Sequence, residues 1–321
     1  MPSPEVSMRF TLRQLEYFIA AGEAGSITLA SERIHISQPS ISTAISHLEQ
    51  ELNVQLFIRH HAQGLSLTPA GRDLLREAKA LVSQAQNLYL KASEATDQVR
   101  GSLSLGCMVT LAPMLVPELT HSFTSAFPAT SIRHMEGNHE ELFDGLRRSE
   151  IDIAICYDLQ IPEDVSFTPL AQLPPHVLMG EADPLARQPS IALADIAKKP
   201  MILLDLPISR EYFLALFLNE GLEPTIAARS THQEVVRTMV ANGYGYSILN
   251  VTPRSDLALD GRKLVRVRLS GNHRPMTIGT AVLKSLRQSK LVSAFDTHCQ
   301  SYVSNSYIPG MVAPSFAARR V

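Results

Sequence analysis

Residues 26–52, SITLASERIHISQPSISTAISHLEQEL, decide how the N-terminal part of the chain folds. Ser26 is placed to cap one helix, its hydroxyl accepting from an N–H of the first turn. Ile27, Ala30 and Ile34 then recur at helical spacing. His35-Ile36 interrupts, Ser37 offers a second N-cap, and Pro39 falls in the next first turn, where a missing N–H leaves no helical bond unmade. Ile41, Ile45, Leu48 and Leu52 follow at i, i+4, i+7 and i+11, a stripe suited to packing on the first helix. Gln38, Ser40, Ser42 and Thr43 remain outward near the start of the second helix. Short polar side chains at a helix N-terminus suit base edges and phosphates in a major groove. The pattern predicts a helix-turn-helix. A helical hairpin with no nucleic-acid role carries the same local signals, so the flanks decide.

Those flanks are TLRQLEYFIAAGEAG (11–25) and LNVQLFIRHHAQGLSLTPAG (52–71). Thr11 with Gln14 makes a capping-box start. Leu12, Leu15, Phe18 and Ile19 form the expected buried face of a first helix, which Gly22 and Gly25 end. Residues 1–10 are expected as a loose tail. Leu56-Phe57-Ile58 and Leu65-Ser66-Leu67 read as two short strands around His60-His61-Ala62-Gln63-Gly64. That is a wing, which either reaches a groove or backbone phosphates or is a solvated turn.

Residues 11–71 resemble the winged helix-turn-helix of the LysR-type transcriptional regulators. The resemblance is carried by LRQLEYF (12–18), GSIT with Ala30 (25–30), the pattern from SQPSIS through HLE to EL (37–52), LF with Arg59 (56–59) and LTPAG (67–71). It implies an α/β protein with an N-terminal all-α, winged part. A DNA-binding domain would span 1–68, a linker and dimerisation helix 69–100, and an effector-binding domain 101–305, with a flexible tail over 306–321. The effector domain would be two-lobed, akin to periplasmic solute-binding proteins, with lobe I at 101–172 and 276–305 and lobe II at 173–275. Its partners would be double-stranded operator DNA with paired half-sites, a small-molecule effector between the lobes, a second copy of itself in a homodimer or homotetramer, and RNA polymerase. Operator contacts would fall to Ser37, Gln38, Pro39, Ser40, Ser42 and Thr43, with Arg33, Arg59, His60 and His61 nearby. The family often has Arg where this chain has Thr43 or Ala44, which implies a different operator preference.

The composition fits a folded protein of two or three units: 321 residues, 45% hydrophobic, 19% charged, net charge −2. No run of about 18 apolar residues marks a membrane span. The N-terminal MPSPEVSMRFTLRQ lacks a basic region leading into an apolar core, so no signal peptide is expected. Cys107, Cys156 and Cys299 have no metal-like spacing and read as reduced, buried thiols of a cytoplasmic protein, with a redox pair as the alternative. Residues 1–95 carry eight Lys/Arg against nine Asp/Glu, a formal balance of −1. That is unusual for a DNA-binding segment, because phosphate neutralisation supplies much of the affinity. It leaves open a second reading, a small-molecule sensor whose N-terminal helices contact protein and not DNA.

Thr68 and Pro69 open a long helix running to about Val99. Leu74, Leu81 and Leu88 recur every seven residues, as do Ala78, Ala85 and Ala92, with Leu75, Val82 and Tyr89 widening the stripe. Such a repeat is a seam for another helix, most simply the same helix of a second subunit; packing on its own domain is the alternative.

After Arg100-Gly101 the pattern changes to short apolar runs, SLSLGCMV, TSIRHME, DIAICYD, PMILLD and IAARS, alternating with helical stretches at 112–127, 139–148, 210–219 and 232–242. The alternation predicts an α/β domain with mainly parallel sheets. The family implies a crossing to the second lobe near Ala171–Pro175 and a return near Arg274–Met276. In such sheets ligands bind beyond the strand ends, where helices begin. That rule selects Met108, Val109 and Thr110, then Pro207, Ile208, Ser209 and Arg210, then Thr231 and His232; Glu136 and Tyr157 extend the set. Thr110 and Ser209 are expected to cap their helices, and Arg210 to favour a carboxylate. No GxxxxGK[ST], HExxH or GxSxG pattern occurs, so neither an enzyme nor a cofactor is expected.

Overall fold

The computed structural model of the protein describes residues 9–60, 64–93, 99–286 and 288–313. The chain divides near residue 96 into two compact units.

The first unit contains α1 (Leu12–Ala24), α2 (Ile27–Ile34), α3 (Gln38–Leu52), the antiparallel pair β1 (Phe57–His60) and β2 (Gly64–Leu67), and α4 (Pro69–Ser93). Its caps are those the sequence calls for. Gln14 N donates to Thr11 Oγ1 at 3.2 Å and Thr11 N donates to Gln14 Oε1 at 2.7 Å. Ser26 and Ser37 accept from Leu29 N and Ser40 N, both at 3.4 Å. His35, left-handed with φ 55°, makes the sharp break between α2 and α3. The stripes of α1, α2 and α3 converge: Leu15, Phe18, Ala30, Ile41, Ile45 and Leu48 are buried together with Leu56 and Phe57.

Four expectations need correction here. Leu12 is 49% exposed, because at the first helical position it overhangs the core rather than facing it. Phe10, expected in a loose tail, packs against that core. Gly22 lies inside α1, where an added Cβ would sit 3.1 Å from Leu75, so it lets α4 approach closely instead of ending the helix. Finally, the first turns of the α4 stripe serve their own domain: Ala78 is buried and Leu74, Leu75 and Val82 pack on the same core. Leu81 is 45% exposed. The side chains of Leu88, Tyr89 and Ala92 lie outside the described residues.

The second unit has two lobes. Lobe I holds β3 (Gly101–Met108), α5 (Ala112–Ala126), β4 (Thr130–Gly137), α6 (His139–Arg147), β5 (Ile153–Tyr157) and β6 (Val165–Leu173). Lobe II follows with β7 (His176–Gly180), β8 (Ser190–Ile191), α7 (Leu193–Ile196), β9 (Pro200–Leu204), α8 (Ser209–Leu218), β10 (Thr225–Ser230), α9 (Gln233–Ala241), β11 (Ser247–Leu249) and β12 (Leu264–Leu269). The chain then returns to lobe I through β13 (Met276–Leu283) and α10 (Lys290–Tyr302).

The lobe I sheet has the order β4-β3-β5-β13-β6; lobe II has β11-β7-β12-β8 and the pair β10-β9. Among the described strands, parallel pairing joins β3 with β4 and β5, β9 with β10, and β8 with β12, beside an isolated parallel bridge between Met201 and Tyr246. The expectation of mainly parallel sheets is therefore corrected. β6 leaves lobe I and β13 comes back beside it, so the two must run antiparallel, and β7 is likewise antiparallel to β11 and β12. Among the described residues, no helix is long and apolar enough to cross a membrane.

The segment after α10 is not a free tail as far as residue 313. Ile308 and Met311 are buried. The Tyr307 hydroxyl donates to Glu118 on α5, Arg254 N donates to Gly310 O at 3.1 Å, and Val312 N donates to Thr252 O at 2.9 Å. The segment thus joins α5 of lobe I to the loop that follows β11.

Candidate nucleic-acid interface and ligand cavity

In the first unit, Ser37 and Pro39 set the start of α3. The Ser37 and Ser40 hydroxyls share a hydrogen bond of 2.8 Å. Gln38, Pro39, Ser40 and Thr43 are exposed and Ser42 is half-buried, so the first turns of α3 present a polar, uncharged face to solvent. Arg33 is exposed but engaged: it pairs with Glu23 at 2.9 Å, and Lys79 reaches the same carboxylate at 3.0 Å. Partial burial opposes ionisation of Glu23, yet the bonds and charges of Lys79 and Arg33 outweigh it and hold the carboxyl below the usual range. His61 and the side chains of Arg59 and His60 lie outside the described residues.

In the second unit, a cavity of about 250 Å³, its open mouth included, lies beyond the ends of β3, β5 and β9. One wall is Thr110, Tyr157 and Met276; the other is Leu204, Ser209, Phe213 and Gln233; Leu249, Asn250 and Val251 complete it. No charged side chain lines it. The Thr110 and Tyr157 hydroxyls bond each other at 2.9 Å, and burial pushes the Tyr157 phenol well above its usual range. Three buried lining atoms, Ser209 Oγ, Gln233 Oε1 and Asn250 Oδ1, have no hydrogen-bond partner. Buried polar atoms left this way are rare, and their grouping around one cavity marks a place for a ligand or ordered water.

Asn250 also faces the passage between the lobes. Its Nδ2 donates to Leu173 O at 2.7 Å and toward the Tyr212 hydroxyl at 3.3 Å, which itself donates to Arg274 O at 2.6 Å. Leu173 and Arg274 flank the outgoing and returning crossings. Burial, the leading cause, pushes the Tyr212 phenol up to about 12, so it stays a donor at every physiological pH.

A model of the LysR substrate binding domain matches residues 96–304, and a model of the lysR-family bacterial regulatory helix-turn-helix protein matches residues 12–72. The chain belongs to the LysR family of transcriptional regulators. Its similarity to HinK, a LysR family transcriptional regulator from Pseudomonas aeruginosa, amounts to 37% identity, with 92% of this chain and 99% of that one covered and a TM-score of 0.63. The HTH-type transcriptional regulator BsdA of Bacillus subtilis (strain 168) is 28% identical over 245 residues, 75% of this chain and 84% of that protein. CysB of Haemophilus influenzae is 27% identical over 271 residues, 82% of each. The family consists of transcriptional regulators rather than enzymes, with a DNA-binding helix-turn-helix and an effector-binding domain.

Of the residues selected from the sequence, this LysR regulator brings Thr110, Tyr157 and Ser209 to the cavity. The others do not line it. Met108 is buried in the lobe I core, and Glu136 is exposed with His134 at 3.4 Å. Val109, Pro207, Ile208, Thr231 and His232 lie beside the lining rather than in it. Arg210 is turned to Asp205 at 3.0 Å and Glu211 at 2.8 Å. Neither hydroxyl caps its helix: α5 starts after Leu111, α8 after Ile208, and neither cap makes a side-chain bond. Gln233 and Asn250 were missed. Gln233 is one residue past the selected His232, and Asn250 ends the apolar run YSILN, where the strand-end rule would have found it. The three cysteines are buried, and burial raises each thiol, Cys156 up to about 12, as expected of unreactive thiols.

Proposed function

We propose that this regulator is a cytoplasmic homodimer or dimer of dimers that binds operator DNA through Gln38, Ser40, Ser42 and Thr43. Ser37 and Pro39 shape the turn, and the wing (Arg59, His60 and His61) adds backbone contacts. The observation that carries the reading is the exposed polar start of α3, held in register by the Ser37 cap and the stripe beneath it. A dimer sets two such helices on paired half-sites.

The effector lies in the cavity between the lobes. Its binding favours one arrangement of dimers over another, and with it the course of the DNA and the recruitment of RNA polymerase; differential affinity for the two arrangements is the physical requirement. Asn250 supports that coupling, because one end of its amide faces the cavity while the other holds the Leu173 crossing. A carboxylate effector, the class expected on Arg210, would depend on the hydroxyls of Thr110 and Ser209 and the first turn of α9, since Arg210 is engaged elsewhere.

Gel-shift titration of Gln38→Ala on the cognate operator is the test. Loss of a bidentate base contact weakens binding by about 1–3 kcal/mol. Unchanged affinity would remove Gln38 from the interface. Affinity that barely responds to salt would favour the second reading, helices that contact protein, because DNA binding must weaken steeply as salt rises.

A further inference from the structure

We infer that the effector of this site is an uncharged molecule bearing N–H or O–H donors on a compact apolar body, such as a small primary amide, and not a free carboxylate. The inference rests on the cavity being the effector site and names the chemistry that the cavity selects.

Its strongest support is the orientation of Asn250. With Nδ2 committed to Leu173 O at 2.7 Å, turning the amide over would bring two carbonyl oxygens together, so the atom left facing the cavity is Oδ1. A carbonyl oxygen only accepts. Gln233 Oε1 is a second buried polar atom without a partner, on an amide that can turn to present oxygen or nitrogen, and Ser209 Oγ is a third, able to accept or donate. A ligand that satisfies Asn250 must therefore bring at least one donor. A carboxylate brings none, and would set its charge against Asn250 Oδ1.

Charge is disfavoured on separate grounds. No Lys, Arg or His lines the cavity to neutralise an anion, and no Asp or Glu lines it to neutralise a cation. An unpaired buried charge is among the costliest groups to desolvate. The start of α8, which would otherwise attract an anion, already has one in its first turn, the Glu211 carboxylate, which accepts from Arg210 Nε at 2.8 Å. Two N–H groups there are also used, since Ser209 N donates to Pro207 O at 2.8 Å and Arg210 N to Leu206 O at 3.0 Å.

A primary amide meets each requirement at once. Its two N–H groups suit Asn250 Oδ1 and Gln233 Oε1, and its carbonyl can accept from Ser209 Oγ or from whichever of Thr110 and Tyr157 has its proton to spare. Phe213, Leu204 and Met276 then cover an apolar body. The enclosed part of the cavity holds about one water molecule as the lobes stand here, so a larger apolar body enters through the open mouth as the lobes part.

The test uses the full-length protein and four probes of one shape: benzamide, benzyl alcohol, benzoate and toluene. Binding is read by calorimetry and by the rise in melting temperature that ligand binding to the folded state produces. Benzamide is expected to bind best, benzyl alcohol next, and benzoate and toluene at least about tenfold more weakly, the equivalent of one net hydrogen bond. Ser209→Ala and Gln233→Met each remove one lining polar atom with little change in bulk, and each is expected to weaken benzamide about tenfold while leaving toluene unchanged.

Benzoate or toluene binding as tightly as benzamide overturns the ligand class, as does benzamide binding that both variants leave unaltered. Absence of binding by all four probes overturns it too. Ser209→Met, which extends a side chain into the cavity, separates the two levels of the argument. If it blocks every probe that binds the wild type, the cavity stands whichever class wins. If it blocks none, the cavity is not where they bind, and the site itself fails.

Discussion

His176 shows how much one buried side chain can set the pH range of a domain. It sits in β7, almost fully buried, and neither ring nitrogen has a well-formed hydrogen bond, the Pro174 carbonyl lying close enough to help only weakly. Burial, reinforced by the Arg266 and Arg237 guanidiniums, lowers its pKa from 6.5 to about 3. Arg237 is itself buried, paired with Glu234 and donating to the Ser255 and Leu257 carbonyls. His176 therefore stays neutral in the fold but takes up a proton in the unfolded chain as pH falls below 6.5. Between those two values the unfolded state binds more protons, so stability rises with pH across the window and is lost on acidification. Glu23 in the first unit has its pKa lowered too, but as a carboxylate its stabilisation is lost only as pH falls below the ordinary value of 4.5. Urea unfolding of wild type and His176→Phe at pH 7 and pH 5 checks this. The wild type is expected to lose stability between the two and the variant to lose less, the remainder coming from His139 and His298, whose pKa values burial also lowers. Equal losses would show that His176 does not control the acid response.

Gly71, the last residue of LTPAG, shows why a motif that looks like punctuation is a packing constraint. It lies in the first turn of α4, where Thr68 Oγ1 accepts from Gly71 N at 2.8 Å and donates to Gln55 O at 2.7 Å. An added Cβ would stand 2.1 Å from the Leu56 carbonyl oxygen, a backbone atom that cannot rotate away. Alanine gains about 1 kcal/mol in helix propensity over glycine. The clash is the larger effect, since forcing atoms into a packed site costs typically about 1–3 kcal/mol and here moves the whole helix off β1. Gly71→Ala is accordingly expected to lower the melting temperature of the first unit and its DNA affinity together; a variant more stable than wild type would refute the packing argument. The same scale explains what the sequence made legible. Caps and apolar stripes are local, so α1, α2 and α3 were readable nearly to the residue. The cavity was readable as far as strand ends go, at Thr110, Tyr157 and Ser209. Arg210 failed by one residue of phase: α8 begins at Ser209, behind a left-handed Ile208 with φ 68°, not at Arg210. Successive helical residues point about 100° apart, so the serine faces in and the arginine out. The antiparallel returns, β6 with β13, were illegible because their partners lie more than a hundred residues apart in sequence.

At the scale of the whole molecule, the N-terminal unit poses an electrostatic problem that dimerisation answers. Residues 1–95 are formally −1, and Arg33 is spent on Glu23. One such unit has few cations to release counterions from DNA, so its affinity alone must be weak. Linking two units turns the second half-site contact into an intramolecular event, which raises avidity by about 10²–10⁴ without any new contact. The α4 repeat is the means we assign to that linkage. Its early positions are used up, with Ala78 buried in the unit's own core, whereas Leu81 remains 45% exposed on the seven-residue period. A seam shared with a second α4 would bury that leucine; a helix that packs only on its own domain would not. Leu81→Glu is expected to fold with wild-type helix content, to sediment as a smaller species, and to bind a two-half-site operator about a hundredfold or more weakly while binding a single half-site as before. Unchanged sedimentation would place the subunit contact elsewhere. A smaller species that kept full operator affinity would instead show that the unit's own contacts suffice, and the charge argument for dimerisation would fall with it.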